Sequence, residues 1–286
     1  MMINTCRRHY ETAWAQYLIA MGLVLVAGST RAQTLPVISW QVSEPSITLH
    51  EPVILKLLVE NTGNESVALD FGANFTQGLL ISIIDPSGTL TRRPTLEPKG
   101  IVSVGRAEIA PGAKYVREFV LDEWYPFESI GQYAVGVSLR YPITVGSRQV
   151  PPPEEVFVNV AINLRDEAAL RRRCIALATV AGRKYEDVQS VEEGDAAMKA
   201  LANMRDPVVV PCLVRLTSHF QNRLSAISAL GRFSTPEAVD ALIPIVVRRG
   251  FDAIEARQAL LEIQRRVQQP DLRDKIETAL NPNPVR

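Results

Sequence analysis

Apolar positions change their period once along this chain. Between about Pro36 and Ile162 they come in short runs that cluster or alternate and then stop at turn residues. Val53-Ile54-Leu55-Lys56-Leu57-Leu58-Val59 ends at Asn61-Thr62-Gly63-Asn64, and Leu79-Leu80-Ile81-Ser82-Ile83-Ile84 ends at Asp85-Pro86-Ser87-Gly88. Tyr133, Val135, Val137 and Leu139 alternate with Ala, Gly, Ser and Arg, and Val156, Val158 and Val160 alternate again. A period of two, punctuated by Gly, Pro and Asn, predicts short antiparallel strands packed as a sandwich rather than βαβ units. Pro151-Pro152-Pro153 reads as a strand-to-strand connection, because alternation resumes after it.

Near Asn163 the period becomes helical. Asp166 to Val180 is rich in Ala, Leu and Arg, all good helix formers. Val239, Leu242, Ile243 and Val246 fall at i, i+3, i+4 and i+7, one face of a helix. Ala253, Ala256, Leu260, Ile263 and Val267 make a second stripe, and Leu272, Ile276 and Leu280 a third. The helical half also repeats itself. Ala200 to Leu213 aligns with Ala229 to Leu242 at an offset of 29 residues, with Ala, Leu, Pro, Val and Leu identical. Asp206 and Thr235 are N-cap types, each followed by a Pro (Pro207, Pro236) at the first helical position, where a missing N–H costs nothing.

Two resemblances follow. Ser129-Ile130-Gly131-Gln132-Tyr133-Ala134-Val135 resembles the tyrosine corner of immunoglobulin-like sandwiches, in which the hydroxyl bonds back to upstream backbone. Val135 stands where antibody domains carry the second Cys, so the resemblance implies that fold without that disulfide, over about 125 residues. Residues 165–280, through Asp206-Pro207-Val208-Val209-Val210-Pro211-Cys212-Leu213 and Thr235-Pro236-Glu237-Ala238-Val239-Asp240-Ala241-Leu242, resemble short HEAT-like repeats of the phycobilisome-lyase type. Pro211 occupies a position where such repeats often carry Pro, whereas Asp240 replaces it in the next copy. The resemblance implies a protein-binding scaffold. The expected architecture is therefore all-β plus all-α: an immunoglobulin-like antiparallel sandwich at 33–162, then an α-solenoid of HEAT-like helix pairs at 163–286.

The N-terminus predicts export. Arg7-Arg8 precede the apolar stretch Tyr17–Ala27, which leads to the small residues of Thr30-Arg31-Ala32, the layout of a signal peptide at 1–32. That stretch is too short to span a bilayer, which takes about 20 residues. The expected compartment is periplasmic or extracellular, with no stable membrane span after cleavage.

Charge and chemistry narrow the function classes by what they lack. Lys+Arg and Asp+Glu are 31 each, so no strong field points to nucleic acid. The sandwich region carries 9 basic and 14 acidic side chains and the helical region 19 and 16, a mild asymmetry. With 3 Cys and 3 His in the chain, little is left for a metal site, and no cofactor is expected. Motifs for nucleotide, zinc, thiol, acyl-transfer and calcium chemistry are all missing from the sequence. His50 and His219 have no partnered nucleophile in the sequence and read as loop and helix-end residues. Asn64-Glu65-Ser66 and Asn74-Phe75-Thr76 match a glycosylation acceptor, relevant in a eukaryotic secretory route alone.

The leading expectation is a non-enzymatic, exported protein-binding or scaffolding module. Its contact residues would be Arg215, Glu237, Asp240, Arg248 and Arg249, non-core positions of the second repeat helices, with Arg able to pair bidentately with partner carboxylates. A second reading is a glycan-binding envelope accessory protein that uses Trp124, Tyr125 and Phe127, although aromatics beside a turn more often plug a core. A third is a hydrolase with an unmarked carboxylate pair among Glu118, Asp122, Glu123 and Glu128. Cys174 and Cys212 would allow a disulfide, and fit equally as small core residues. The signal layout gives a first prediction: N-terminal sequencing of the exported protein will start at Gln33, and an intact Met1 or Met2 would refute it.

Overall fold

The computed structural model describes residues 35–73, 75–94, 104–184, 186–248 and 250–281. The expected signal peptide, together with Asn74 and Arg249, lies outside them. The first strands are β1 (Val37–Val42), β2 (Ser46–Thr48), β3 (Ile54–Glu60), β4 (Val67–Ala73), β5 (Leu79–Ile84) and β6 (Leu90–Arg93). They are followed by β7 (Val104–Ile109), β8 (Lys114–Val120), β9 (Gly131–Leu139), β10 (Ile143–Val145), β11 (Arg148–Val150) and β12 (Val156–Asn163). These strands form sheets ordered β1-β3-β8, β11-β10-β4-β7 and β2-β12-β9-β5-β6. Pairing is antiparallel except between β2 and β12.

Alternation does what the pleat requires. Tyr133, Val135, Val137 and Leu139 of β9 all point into one core, which they share with Leu55 and Leu57 of β3. Phe71, Phe119 and Trp40 fill the same core, with Phe71 and Phe119 ring centroids 5.9 Å apart. At one end the Tyr133 hydroxyl donates to the Ser129 carbonyl at 3.0 Å and accepts from the Ser129 N–H at 3.2 Å, which fixes the chain where it turns into β9.

The helices are α1 (Glu167–Ala181), α2 (Val188–Asn203), α3 (Val210–Leu216), α4 (Arg223–Leu230), α5 (Pro236–Val246), α6 (Phe251–Gln264) and α7 (Pro270–Leu280). They stack in two layers, α2-α4-α6 and α1-α3-α5-α7, so each core-facing stripe meets its neighbours in the adjoining layer. A 3₁₀ turn, Pro207–Val209, leads into α3, where the sequence suggested continuous helix from Pro207. Asp206 caps this turn by accepting from the Val208 N–H at 3.0 Å, and Thr235 caps α5 by accepting from Ala238 at 3.3 Å.

The turns that join the two layers are tied to one another. Arg232 donates to the Met204 carbonyl at 3.2 Å, one turn back along the stack, and Arg266 donates to the Gly231 carbonyl. Arg165, just after β12, grips Asp206 with two hydrogen bonds of 2.5 and 3.2 Å. Burial works to raise the Asp206 carboxyl, but Arg165 and the Val208 N–H outweigh it and hold the group below its ordinary value. These arginine contacts line one edge of the helical stack, and Arg165 joins that edge to the end of β12.

Helix α2 makes the main contact with the β domain. It lies against β8, with Ala196 beside Phe119 and Val120 and with Ala197 in one core with Ile54 and Val120. Ile54 of β3 and Val120 of β8 belong to the helical core rather than to the core between the sheets. Arg117 of β8 pairs with Glu192 of α2 at 2.7 Å while its guanidinium lies 3.5 Å from the Phe75 ring centroid. The Thr48 hydroxyl donates to the Leu164 carbonyl at 2.6 Å and accepts from the Asp166 N–H at 2.7 Å, fixing the strand-to-helix crossing.

Gly231, at the end of α4, shows how tightly the layers pack. Its backbone is ordinary (φ −56°), but a Cβ there would come within 2.9 Å of the Ala259 Cα on α6. Gly231→Ala should therefore force α4 and α6 apart and cost about 1–3 kcal/mol. Urea unfolding of the full chain checks this, and an unchanged midpoint would refute the close approach.

Candidate docking surfaces

The residues expected to bind a partner lie at two ends of the second-helix layer. Arg215, in the last turn of α3, and Arg248, just past α5, are both exposed and sit where those helices finish. Neither has an ion pair among the described residues. Glu237 lies in the first turn of α5, about 16 Å away by helix rise. Asp240 is engaged by Lys275 of α7. Arg215 and Arg248 are thus grouped by the fold, and Glu237 and Asp240 stand apart from them. Arg249 is outside the described residues.

The end where Arg215 and Arg248 sit is the edge opposite the arginine contacts. Three loops line it, each leading from a second-layer helix into α2, α4 or α6. They are neighbours: Asn222 donates to the Ala181 carbonyl at 2.6 Å, and Arg223 pairs with Asp252 at 2.6 Å. Each loop or helix start exposes large apolar side chains. Val188 is 76% exposed, Phe220 88%, Val247 69%, Phe251 82% and Ile254 67%. Single exposed apolar residues need no explanation, but their recurrence along one edge of the helical stack does.

At the α5–α6 corner this surface becomes concave. Val246, Phe251, Ala253 and Ile254 line an open pocket of about 430 Å³, with Arg248 and Arg257 as the charged residues among its described lining. Gly250 forms the sharp corner with φ 123°, a conformation favouring glycine, and gives α6 no side-chain cap. The sequence reading missed Phe220, Phe251 and Ile254. A signal was present: Phe220 lies in an otherwise polar stretch, and Phe251 and Ile254 fall off the core stripe of Ala256, Leu260 and Ile263.

The other expected sites are placed differently. Trp124 and Phe127 are buried, at 6% and 5% exposure, so the stacking platform expected from Trp124, Tyr125 and Phe127 is not on the surface. The Phe127 ring packs edge-on to Tyr133 at 5.2 Å and to Tyr125 at 5.1 Å, closing the end of the β core. Cys174 of α1 and Cys212 of α3 are free, buried thiols, and the disulfide they would allow is not formed. The Cys174 thiol lies 3.6 Å from the Met204 sulfur. Its contact with Cys212 and its burial push Cys174 well up, while the same contact, aided by Arg215, draws Cys212 down to about 7. His50 takes a left-handed turn conformation (φ 74°) between β2 and β3, a structural use of the residue.

The four carboxylates considered for hydrolysis are held by separate partners. Glu118 pairs with Lys56 at 3.1 Å, Glu123 with Lys199 at 3.6 Å and Glu128 with Arg205, while Asp122 accepts from the Val53 N–H at 2.8 Å. A cleft of about 520 Å³ does separate the β1-β3-β8 sheet from α1 and α2. In its lining Lys56 pairs with Glu118 and Arg117 with Glu192, Arg173 pairs with Glu51 at 3.6 Å, and Glu44 and Glu193, the latter accepting from Gln189 at 2.9 Å, add two further carboxylates.

Comparison with known proteins bears on the helical region. The PBS lyase HEAT-like repeat model matches residues 223–246, which span α4 and α5. No match is found among the curated proteins. Among solved structures, the chain is similar to the CARDB domain of a Pyrococcus furiosus protein in complex with di-metal ions, at 13% identity and a TM-score of 0.25, covering 46% of this chain and 96% of that one. It is also similar to Pseudomonas fluorescens alkylpurine DNA glycosylase bound to DNA containing an abasic site analog (14% identity, TM-score 0.24, 49% and 33% covered). A third is beta-glucosidase from Listeria innocua in complex with glucose (8%, TM-score 0.26, 45% and 16%). At these scores the structural likenesses carry no functional inference.

Asp122 at the domain junction gives a pH prediction. Burial pushes its carboxyl up to about 7, against the Val53 N–H and Arg205, which favour the ionised form. Between pH ~4 and ~7 the folded protein therefore holds a proton that the unfolded chain has released, so stability falls as pH rises through that window and levels off above it. Asp122→Asn should flatten this slope, matching the parent near pH 4 and exceeding it at pH 8 by on the order of 2 kcal/mol. Unfolding curves of both proteins from pH 4 to 8 check the sign.

Proposed function

We propose that the protein is a non-enzymatic, exported binding module, an immunoglobulin-like sandwich followed by a short HEAT-like solenoid, that holds a protein partner on the solenoid's open edge. The Tyr133–Ser129 corner supports the first fold name, and the repeat match over 223–246 supports the second. The observation that carries the function is the series of exposed apolar side chains at Val188, Phe220 and Phe251, one at each successive loop. Water-exposed apolar side chains that recur loop after loop along one edge suit a surface that becomes dry on docking. Arg215 and Arg248 beside them, without an ion pair among the described residues, add the charged contacts common at such interfaces.

The test is to capture a partner from the cell envelope with the tagged mature chain, then measure its affinity for variants. Phe220→Ser, Arg215→Ala and Arg248→Ala should fold like the parent, because these side chains are exposed. Each should weaken binding by roughly 1–2 kcal/mol. If all three bind like the parent, the open edge is not the docking surface.

A further inference from the structure

We infer that the pocket at the α5–α6 corner takes a partner segment that pairs one large apolar side chain with a carboxylate; this rests on the protein-binding reading above and names its ligand chemistry. Three independent features meet there. The floor and walls are apolar: Val246, Phe251, Ala253 and Ile254. The two charges among the described lining, Arg248 and Arg257, are both cationic, and neither has an ion pair among the described residues. The pocket also lies at the start of α6, a 14-residue helix whose cap, Gly250, offers its first-turn N–H groups no side-chain acceptor.

Each feature selects part of the ligand. Phe251 and Ile254, at 82% and 67% exposure, gain by covering an aliphatic or aromatic side chain of the size the pocket admits. The guanidiniums select an anion and suit the planar, two-oxygen geometry of a carboxylate. An uncapped helix start carries partial positive charge and favours the same anion. The one acid in that first turn, Asp252, is turned to Arg223 at 2.6 Å and leaves the pocket's cations unneutralised. An apolar ligand alone would leave Arg248 and Arg257 unmatched, and a polar acid alone would leave Phe251 and Ile254 exposed. A peptide segment with an acidic residue beside a Leu, Ile or Phe, or with such a residue as its C-terminus, satisfies both.

The experiment pans a phage-displayed random peptide library against the intact purified chain and measures affinities of the selected peptides as free, labelled molecules. The expected result is a consensus that joins an apolar residue to a carboxylate. Ile254→Ser should weaken these peptides at least 10-fold and Arg257→Ala at least 5-fold, with partial recovery in Arg257→Lys. Raising the salt from 50 to 500 mM should weaken the parent and leave Arg257→Ala less affected. Thermal unfolding of each variant at the parent's temperature shows that the fold is kept. Peptides without a carboxylate, peptides insensitive to Ile254→Ser, or no selected peptides at all would overturn the proposal. Peptides lost in Arg215→Ala or Phe220→Ser but unaffected by Ile254→Ser would retain the protein-binding reading and move the site along the edge. Binding of the parent to phosphatidylglycerol vesicles, without any peptide binding, would replace both readings with a membrane surface.

Discussion

A stack of helix pairs always ends on an apolar face that the next pair would have covered, and that uncovered end is the constraint on which this molecule is built. At the N-terminal end the β domain supplies the cover. β3 and β8 lend Ile54 and Val120 to the helical core, and α2 answers with the small side chains of Ala196, beside Val120, and Ala197, in the same core. At the C-terminal end of the described residues α7 packs onto the stack by burying Leu272, Ile276 and Leu280, while Arg273 donates to the Val267 carbonyl at 3.3 Å and Lys275 pairs with Asp240. The two regions of the chain differ in period but share a core at their junction, so the β domain covers the first end of the helical stack.

That junction also decides which solenoid edge is available. The turns at 204–206, 231–235 and 265–269 are consumed by structure: Arg232 and Arg266 tie each turn to the one before, and Arg165 and Glu128 tie the first to the β domain. The loops on the opposite edge are also tied to one another, by Asn222 to the Ala181 carbonyl and by Arg223 to Asp252, yet they leave large apolar side chains uncovered. Their aromatic and aliphatic side chains face water, which lowers solubility and is a pattern proteins keep where something else covers the surface. The partition follows from helix length and antiparallel stacking, since every other loop must come out on the same edge.

The junction is rich in paired charges as well as small apolar residues. Arg117–Glu192 is held beneath the Phe75 ring, and Glu51 beside Arg173 is raised by burial, as Asp122 is. Carboxyl groups removed from water at a joint make the cohesion of the two regions sensitive to pH even when each is individually stable. Breaking one member of such a pair costs more than the pair contributes, because the other charge is left without its partner.

The sequence by itself determined the periodicity-driven part of the protein. The β9 alternation, the helix stripes at 239–246 and 256–267, the Pro-led caps at Asp206 and Thr235 and the Tyr133 corner are local patterns, set by the two- and 3.6-residue periods and by short-range hydrogen bonds. Trp124 and Phe127 read equally well as platform or plug, since composition does not say which side of a turn faces the core; packing against Tyr133 decided it. Phe251 and Ile254 were visible as apolar residues off the stripe, but that Val188 and Phe220 join them on one edge with Arg248 depends on contacts between loops, across sequence separations of 41 and 29 residues. Spacing along a chain fixes which way a side chain points from its own helix; only the stacking of that helix on its neighbours fixes whether the direction leads into a core or out to water.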